Sequence, residues 1–202
     1  MPQTLPTTGF TQDTFDAFLA ARNEPGWLTD LRLAAWKQFQ RLPMPSRQDE
    51  EWMRTDIRLL RLDRFGLPSA GPTSDLPPGA LSAGVELGGQ ITSLNSHTVH
   101  CRFADKWAEQ GVLFGSLDEL VASHGDLIKP HLLCRAVDPH YDKFAALHAA
   151  CWTGGMLLYV PRNVVMDDPA YVLSVLEEGQ VDLSHTLVVL EEGAQATLLC
   201  EQ

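Results

Sequence analysis

The chain's 202 residues suffice for one domain and at most a second small one, and 45% apolar residues allow a real core. Its net charge of −11 is unevenly spread: residues 1–64 carry nine Lys/Arg and nine Asp/Glu, whereas residues 166–202 carry eight acids and neither Lys nor Arg, which argues against a nucleic-acid surface there. The longest central apolar run, Met156 to Val160, is too short for a bilayer, the first residues lack a secretory signal, and Cys101, Cys134, Cys151 and Cys200 form no Cys-x-x-Cys pair. These features point away from membrane, secreted and zinc-ribbon classes and make the cytoplasm the expected compartment.

Thr11 is placed to cap a short helix with Phe15, Phe18 and Leu19 at helical spacing. Trp27, Leu31, Ala35, Phe39 and Leu42 mark a second helix, ended by Leu42-Pro43-Met44-Pro45-Ser46. A third is expected from Asp49-Glu50-Glu51, whose acids suit the positive end of a helix dipole, with Arg54, Arg58 and Arg61 on one stripe. That stripe is either a docking surface for an acidic partner or a solvated face paired with Glu50, Glu51 and Asp56. Such runs are usually solvated, and the second alternative is preferred. Prolines and glycines mark residues 66–80 as a linker.

Beyond it, Val85-Glu86-Leu87 and Ile91-Thr92-Ser93-Leu94 read as short strands and Ala104 to Gln110 as a helix. Val112-Leu113-Phe114 follows as a strand, and Ser116 to His124 as a helix with Asp118 and Glu119 in its first turn. His97-Thr98-Val99-His100-Cys101 contains three metal-ligating residue types, but a strand turns His97 and His100 to opposite faces and no second cluster accompanies them. Asp138-Pro139-His140-Tyr141-Asp142 resembles an acid–base pair around an imidazole. A turn begun by Asp-Pro, with Asp142 capping the helix of Phe144, Leu147 and His148, explains it better. Gly154-Gly155 lack the lysine and spacing of a phosphate loop and are taken as a helix C-cap. Gly-x-Ser-x-Gly, His-Glu-x-x-His and Gly-x-Gly-x-x-Gly are absent, and no catalytic, cofactor-binding or metal-ligating residue is assigned.

In the tail, Leu176-Glu177-Glu178-Gly179 recurs 14 residues later as Leu190-Glu191-Glu192-Gly193, each copy following a β-branched or leucine-rich run. Each unit reads as a strand and an acidic corner, with Gly179 and Gly193 supplying positive φ. Such units cannot bury their own apolar faces and must stack as a solenoid or β-helix, a hairpin meander being the alternative. The chain stops at Leu198-Leu199-Cys200-Glu201-Gln202, within or just after a strand, so it reads as a fragment whose last coil is expected to self-associate or fray at residues 194–202.

Glu24-Pro25-Gly26-Trp27-Leu28 with Arg32, Glu50-Glu51-Trp52-Met53-Arg54-Thr55-Asp56-Ile57-Arg58 and Gly111-Val112-Leu113-Phe114 resemble segments of the SufB/SufD family of iron–sulfur cluster assembly scaffolds. So do His124-Gly125-Asp126-Leu127-Ile128-Lys129, Lys143-Phe144-Ala145-Ala146-Leu147 through Tyr159-Val160-Pro161, and His185-Thr186-Leu187-Val188-Val189 with Glu191-Glu192-Gly193. Where the SufB pattern has polar Arg-x-Asn and Gly-Cys, this chain has Leu173-Ser174-Val175 and Glu201-Gln202, which makes it more similar to SufD. The resemblance implies an α+β fold, with an N-terminal helical region followed by a right-handed parallel β-helix (a single-stranded solenoid) and then a C-terminal helical domain beyond Gln202. The expected segments are a helical region 1–65, a linker 66–80, a mixed α/β segment 81–140 and the first β-helix coils 141–202.

The implied function is that of a scaffold subunit of a SufBCD-type complex, without enzyme activity of its own. It would pair with a SufB-like subunit through the β-helix and with a SufC-like ATPase through the C-terminal domain. The iron–sulfur cluster forms transiently on the full complex, and this piece binds no cofactor. A β-helix carbohydrate-active enzyme and a passive oligomeric repeat protein are the alternatives. An enzyme would need a row of carboxylates on one strand face, and Glu177 and Glu178 fall at a corner.

Overall fold

The computed structural model describes residues 9–68, 76–134, 136 and 138–202. In chain order its elements are α1 (Gln12–Ala20), α2 (Gly26–Arg41), β1 (Gly89–Leu94), β2 (His97–Phe103), α3 (Asp105–Ala108), β3 (Leu113–Ser116), α4 (Leu117–Ser123), α5 (Gly125–Ile128), α6 (Lys143–Cys151), β4 (Gly155–Val160), β5 (Val165–Val175), β6 (His185–Leu190) and β7 (Gln195–Glu201). They divide into two compact units, Met1–Leu67 with Leu133–Trp152, and Pro68–Leu132 with Thr153–Gln202. Residues 133–152, which the sequence divides between the mixed segment and the coils, thus group with the N-terminal helices.

In the helical unit α1 opens with a capping box, the Thr11 hydroxyl accepting from the Thr14 N–H while Thr14 returns the bond to the Thr11 N–H. Phe15 of α1 stacks on Trp36 of α2 at 4.3 Å between ring centroids. The buried stripe of α2 is Leu28, Arg32, Ala35, Trp36 and Phe39, which keeps the expected Ala35 and Phe39 but takes Leu28 and Arg32 in place of Trp27 and Leu31. It packs on α6, which buries Ala146, Ala149 and Ala150, small side chains that let two helices approach. Asp142 caps α6 as expected, accepting from the Ala145 N–H at 2.7 Å. Lys143 covers the other end of α2, its ammonium donating to the Phe39 and Leu42 carbonyls at 2.6 and 2.8 Å.

The expected third helix does not form. Glu50–Trp52 and Leu62–Arg64 are isolated 3-10 turns. The Asp56 carboxylate accepts from the Arg58 N–H at 3.1 Å and also binds the Arg58 guanidinium, a local side-chain bond that competes with the helical ladder. Arg61 pairs with Asp63 two residues away, so Arg54, Arg58 and Arg61 share no helical stripe. Val85-Glu86-Leu87 is likewise no strand, and the first strand begins at Gly89.

The second unit holds two sheets, ordered β2-β1-β5-β7 and β3-β4-β6. β2 and β3 pair antiparallel with β1 and β4, whereas β1, β5 and β7 are mutually parallel, as are β4 and β6. Gly155 pairs with His185 and Val165 with Gln195, so the chain returns to the same place in each sheet after 30 residues, the difference of either pair. The 14-residue echo is therefore about half that step. Gly179 leaves β5 in one sheet and Gly193 leaves β6 in the other, and the copies are alike because both corners need positive φ, +78° and +75°. A bulge between Met166 and Ala170 shortens the later β5–β7 pairs to an offset of 28, as in Ala170 with Leu198.

Met156, Leu158 and Val160 of β4, with Ile91, Met166 and Ala170 from the other sheet and Trp107, Val112 and Phe114, form the buried core. The opposite face of β4 and β6 carries Leu157 and Leu187, and α4 packs against both strands.

Candidate functional site

His97 and Cys101 lie on strand β2, not a helix, and among the described residues no three His, Cys, Asp or Glu side chains are grouped to hold a metal. Asp138 and His140 form the expected turn: the His140 N–H and ring bond the Asp138 carboxylate at 2.8 and 3.0 Å and hold its pKa below the ordinary value. With Cys134 they line a cleft of about 340 Å³ in the helical unit. Gly154 and Gly155 are not a helix cap, since α6 ends at the extended Trp152. They have φ of +63° and +85°, and a Cβ would lie 1.8 Å from the Ser96 carbonyl at Gly154 and 2.1 Å from the His185 carbonyl at Gly155. Close backbone approach is what requires glycine here.

Two sites that sequence inspection missed are polar and non-local. In the helical unit Arg32 is fully buried, donating to Glu24 at 2.8 and 2.9 Å and to the carbonyls of Ala150 and Trp152 at 3.1 and 2.9 Å. Its guanidinium lies 4.4 Å from the Trp152 ring centroid, and Arg22 also bonds Glu24. In the β-rich unit the left-handed pair Asn95-Ser96 turns β1 into β2 and staples the corner after β5. Asn95 exchanges two bonds with Glu177, at 2.8 and 3.0 Å, while the Ser96 hydroxyl donates to Asp182 at 2.9 Å and accepts from the Leu183 N–H at 2.7 Å. An Asn-Ser pair between two alternating runs is the signal that marks this turn.

Among the described residues the interior column of the β-rich unit is left exposed on β6. Thr186, Val188 and Leu190 continue the interior column of Met156, Leu158 and Val160. Leu158 is 1% exposed, but Val188 and Leu190, one step on, are 43% and 46% exposed. β6 and β7 are the outermost strands of their sheets, with backbone edges that pair with no further strand among the described residues. Such an edge, with apolar side chains beside it, is a surface for strand addition or protein contact. The acids flanking it are largely engaged: Glu191 accepts from the Tyr159 hydroxyl and Glu192 pairs with Arg162. No helix among the described residues is long and apolar enough to cross a membrane.

A protein from Bacillus subtilis (strain 168) named iron-sulfur cluster assembly protein SufD is 28% identical over 190 residues. An iron-sulfur cluster assembly SufBD family protein of Staphylococcus aureus (strain USA300) is 26% identical over 211. Both alignments cover 92% of this chain, which spans less than half of either relative, 44% and 42%. The family described as SufBD protein N-terminal region matches residues 14–172, and the chain therefore belongs to the SufBD family.

Proposed function

We propose that this chain is the N-terminal part of a SufD-like scaffold subunit in an iron–sulfur cluster assembly complex, and that its two sheets are the first coils of a right-handed parallel β-helix. The observation that carries this is the parallel pairing of β4 with β6 at a 30-residue offset and of β5 with β7 at 30 and, past the bulge, 28 residues, with interior positions left uncovered on the outermost strands, in a chain of this family. A solenoid repeat covers its predecessor and needs a successor or cap, and these strands have that character. The names of the relatives supply the process, iron–sulfur cluster assembly.

On this reading the chain supplies structure and contact surface, and the nascent cluster is cargo of the whole complex. A SufB-like subunit pairs with the β-helix, and a SufC-like ATPase docks on the C-terminal helical domain that the family resemblance implies; ATP chemistry belongs to that partner, in the cytoplasm. The carbohydrate-enzyme alternative loses ground because Glu177, Asp182, Glu191 and Glu192 are each committed to a neighbouring side chain rather than aligned over a groove.

The test is co-expression of a longer protein containing this chain, and of the 202-residue chain alone, with SufB-like and SufC-like proteins. The longer protein is expected to retain both partners through affinity purification, and the shorter one to lose the ATPase. Retention of the ATPase by the 202-residue chain, or failure of the longer protein to retain the SufB-like subunit, overturns the assignment.

A further inference from the structure

Glu201, near the end of β7, binds no cation among the described residues. Its carboxylate accepts from the consecutive backbone N–H groups of Ala80 and Leu81, both at 2.9 Å, and from the Tyr171 hydroxyl at 2.8 Å. The two amides open a turn in an irregular strap, residues 76–84, which contains no charged side chain. That strap lies over the outer face of β5. Tyr171 beneath it is 0% exposed, and a Cβ at Gly79 would stand 2.0 Å from the tyrosine oxygen.

β7 has a ladder partner on one side only, β5, so an attachment through a side chain on its face matters more than it would in an inner strand. A carboxylate suits the task because it is acceptor-only, and its two oxygens meet three donors here.

We infer that Glu201 is a latch that clasps the strap of residues 76–84 to the outermost strand β7, so that strap and strand seat and release as one unit. The strap leads directly from the Pro/Gly-rich segment that begins the β-rich unit. Any contact that shifts β7 is thereby transmitted to the strap, and any pull on the strap is felt by β7, since a coupling between two elements is reciprocal. This holds whatever the chain assembles with.

Residue-resolved amide hydrogen exchange on the chain and three variants tests it. Glu201→Gln keeps the shape but offers one acceptor and turns an NH2 group toward an N–H donor. It is expected to raise exchange at Ala80 and Leu81 at least fivefold. Gly79→Ala pushes the strap off Tyr171, and the latch requires it to raise exchange along residues 196–200 of β7 by a similar factor while amides of β1, the other ladder partner of β5, keep their rates. Amides of β4 and α2 are expected to keep their rates in both. Tyr171→Phe, which removes one donor and no charge, is expected to raise exchange at Ala80 and Leu81 by a smaller factor than Glu201→Gln, and supplies the comparison if either other variant fails to fold. Unchanged exchange at Ala80 and Leu81 in Tyr171→Phe, or a smaller rise there in Glu201→Gln, overturns the latch. So does a Gly79→Ala variant whose β7 rates stay unchanged, or an equal rise through β4 and α2, which is general destabilisation.

Discussion

Replacing Arg32 with Met tests whether a buried charge cluster holds the helical unit together. The Arg32 side chain is 0% exposed and that of Glu24 8%, so neither is rescued by solvent. Breaking one side of such a pair costs about 3–5 kcal/mol, and Arg22, still bonded to Glu24, puts this case near about 3. The carbonyls of Ala150 and Trp152 lose a donor each, adding roughly 1–2 kcal/mol together. A total of about 4–5 kcal/mol is a large part of the roughly 5–15 kcal/mol available to a domain. In urea, with a slope of about 2 kcal/mol/M, the transition of the helical unit followed by tryptophan fluorescence should fall by about 2 M. The acid limb should change with it. Burial alone would raise the pKa of Glu24, but the hydrogen bonds and charges of Arg32 and then Arg22 reverse this and leave it below its ordinary 4.5. The unfolded carboxyl therefore takes up its proton first; the stabilisation is complete above pH 4.5 and fades as pH falls through the lowered folded value, more weakly in Arg32→Met. A midpoint shift under about 0.5 M in urea, or an unchanged acid limb, would refute the clasp.

The glycines should divide by what surrounds them. Gly179→Ala, with φ +78° and nothing within 4 Å of the new Cβ, should cost about 1–2 kcal/mol, whereas Gly154→Ala drives a Cβ to 1.8 Å from the Ser96 carbonyl and should cost more than about 4, read from denaturation midpoints; equal costs would show the Asn95-Ser96 turn to be pliable. Iodoacetamide at pH 8 should label the exposed Cys101, Cys134 and Cys200 in the folded chain and spare Cys151, whose thiol burial pushes up to about 12 against the opposing charges of Arg32 and Arg22. Peptide mass mapping that finds Cys151 labelled as fast as the other three would contradict that packing.

What the sequence made legible was local. Thr11 and Asp142 act as caps because each bonds an amide three residues away, a distance the chain fixes by itself. β2 was readable as a strand and α4 as a helix with acids in its first turn for the same reason. The third helix failed to a competitor just as local, the Asp56 side chain, which composition and charge spacing do not rank against the helical ladder. Arg32 with Trp152, and Glu201 with Ala80, join residues 120 and 121 positions apart, and nothing in either neighbourhood announces the other. The family resemblance was carried by Glu24 and Arg32 among others, but the carbonyls of Ala150 and Trp152 that complete the Arg32 site come from a distant stretch of the chain. The acidic tail was evident as charge, but four of its eight carboxylates are tied singly, Glu177 by Asn95, Asp182 by Ser96, Glu191 by Tyr159 and Glu192 by Arg162, pairings that charge alone does not announce.

The contrast between β4 and β6 measures what a second neighbouring strand does for the side chains beside it. Leu158, at 1% exposure, lies between Phe114 of β3 and Val188 of β6, and Val160 is 0% exposed in the same core; Val188 and Leu190, in the same columns, keep nearly half their surface in contact with water. Fully burying a Val or Leu side chain is worth about 1.5–3 kcal/mol, so covering this pair would add only about 2. Ordering the backbone of a covering coil costs about 1–2 kcal/mol per residue, which those two side chains cannot offset. A further coil would have to bring its own ladder bonds to β6 and β7 and its own covered interior column. Stability in parallel strands of this kind resides in the contacts between neighbouring strands, and an outermost strand is the least supported. The latch at Glu201 is placed where that support is thinnest, on a strand with one ladder partner, and ties it to a segment 120 residues earlier in the chain.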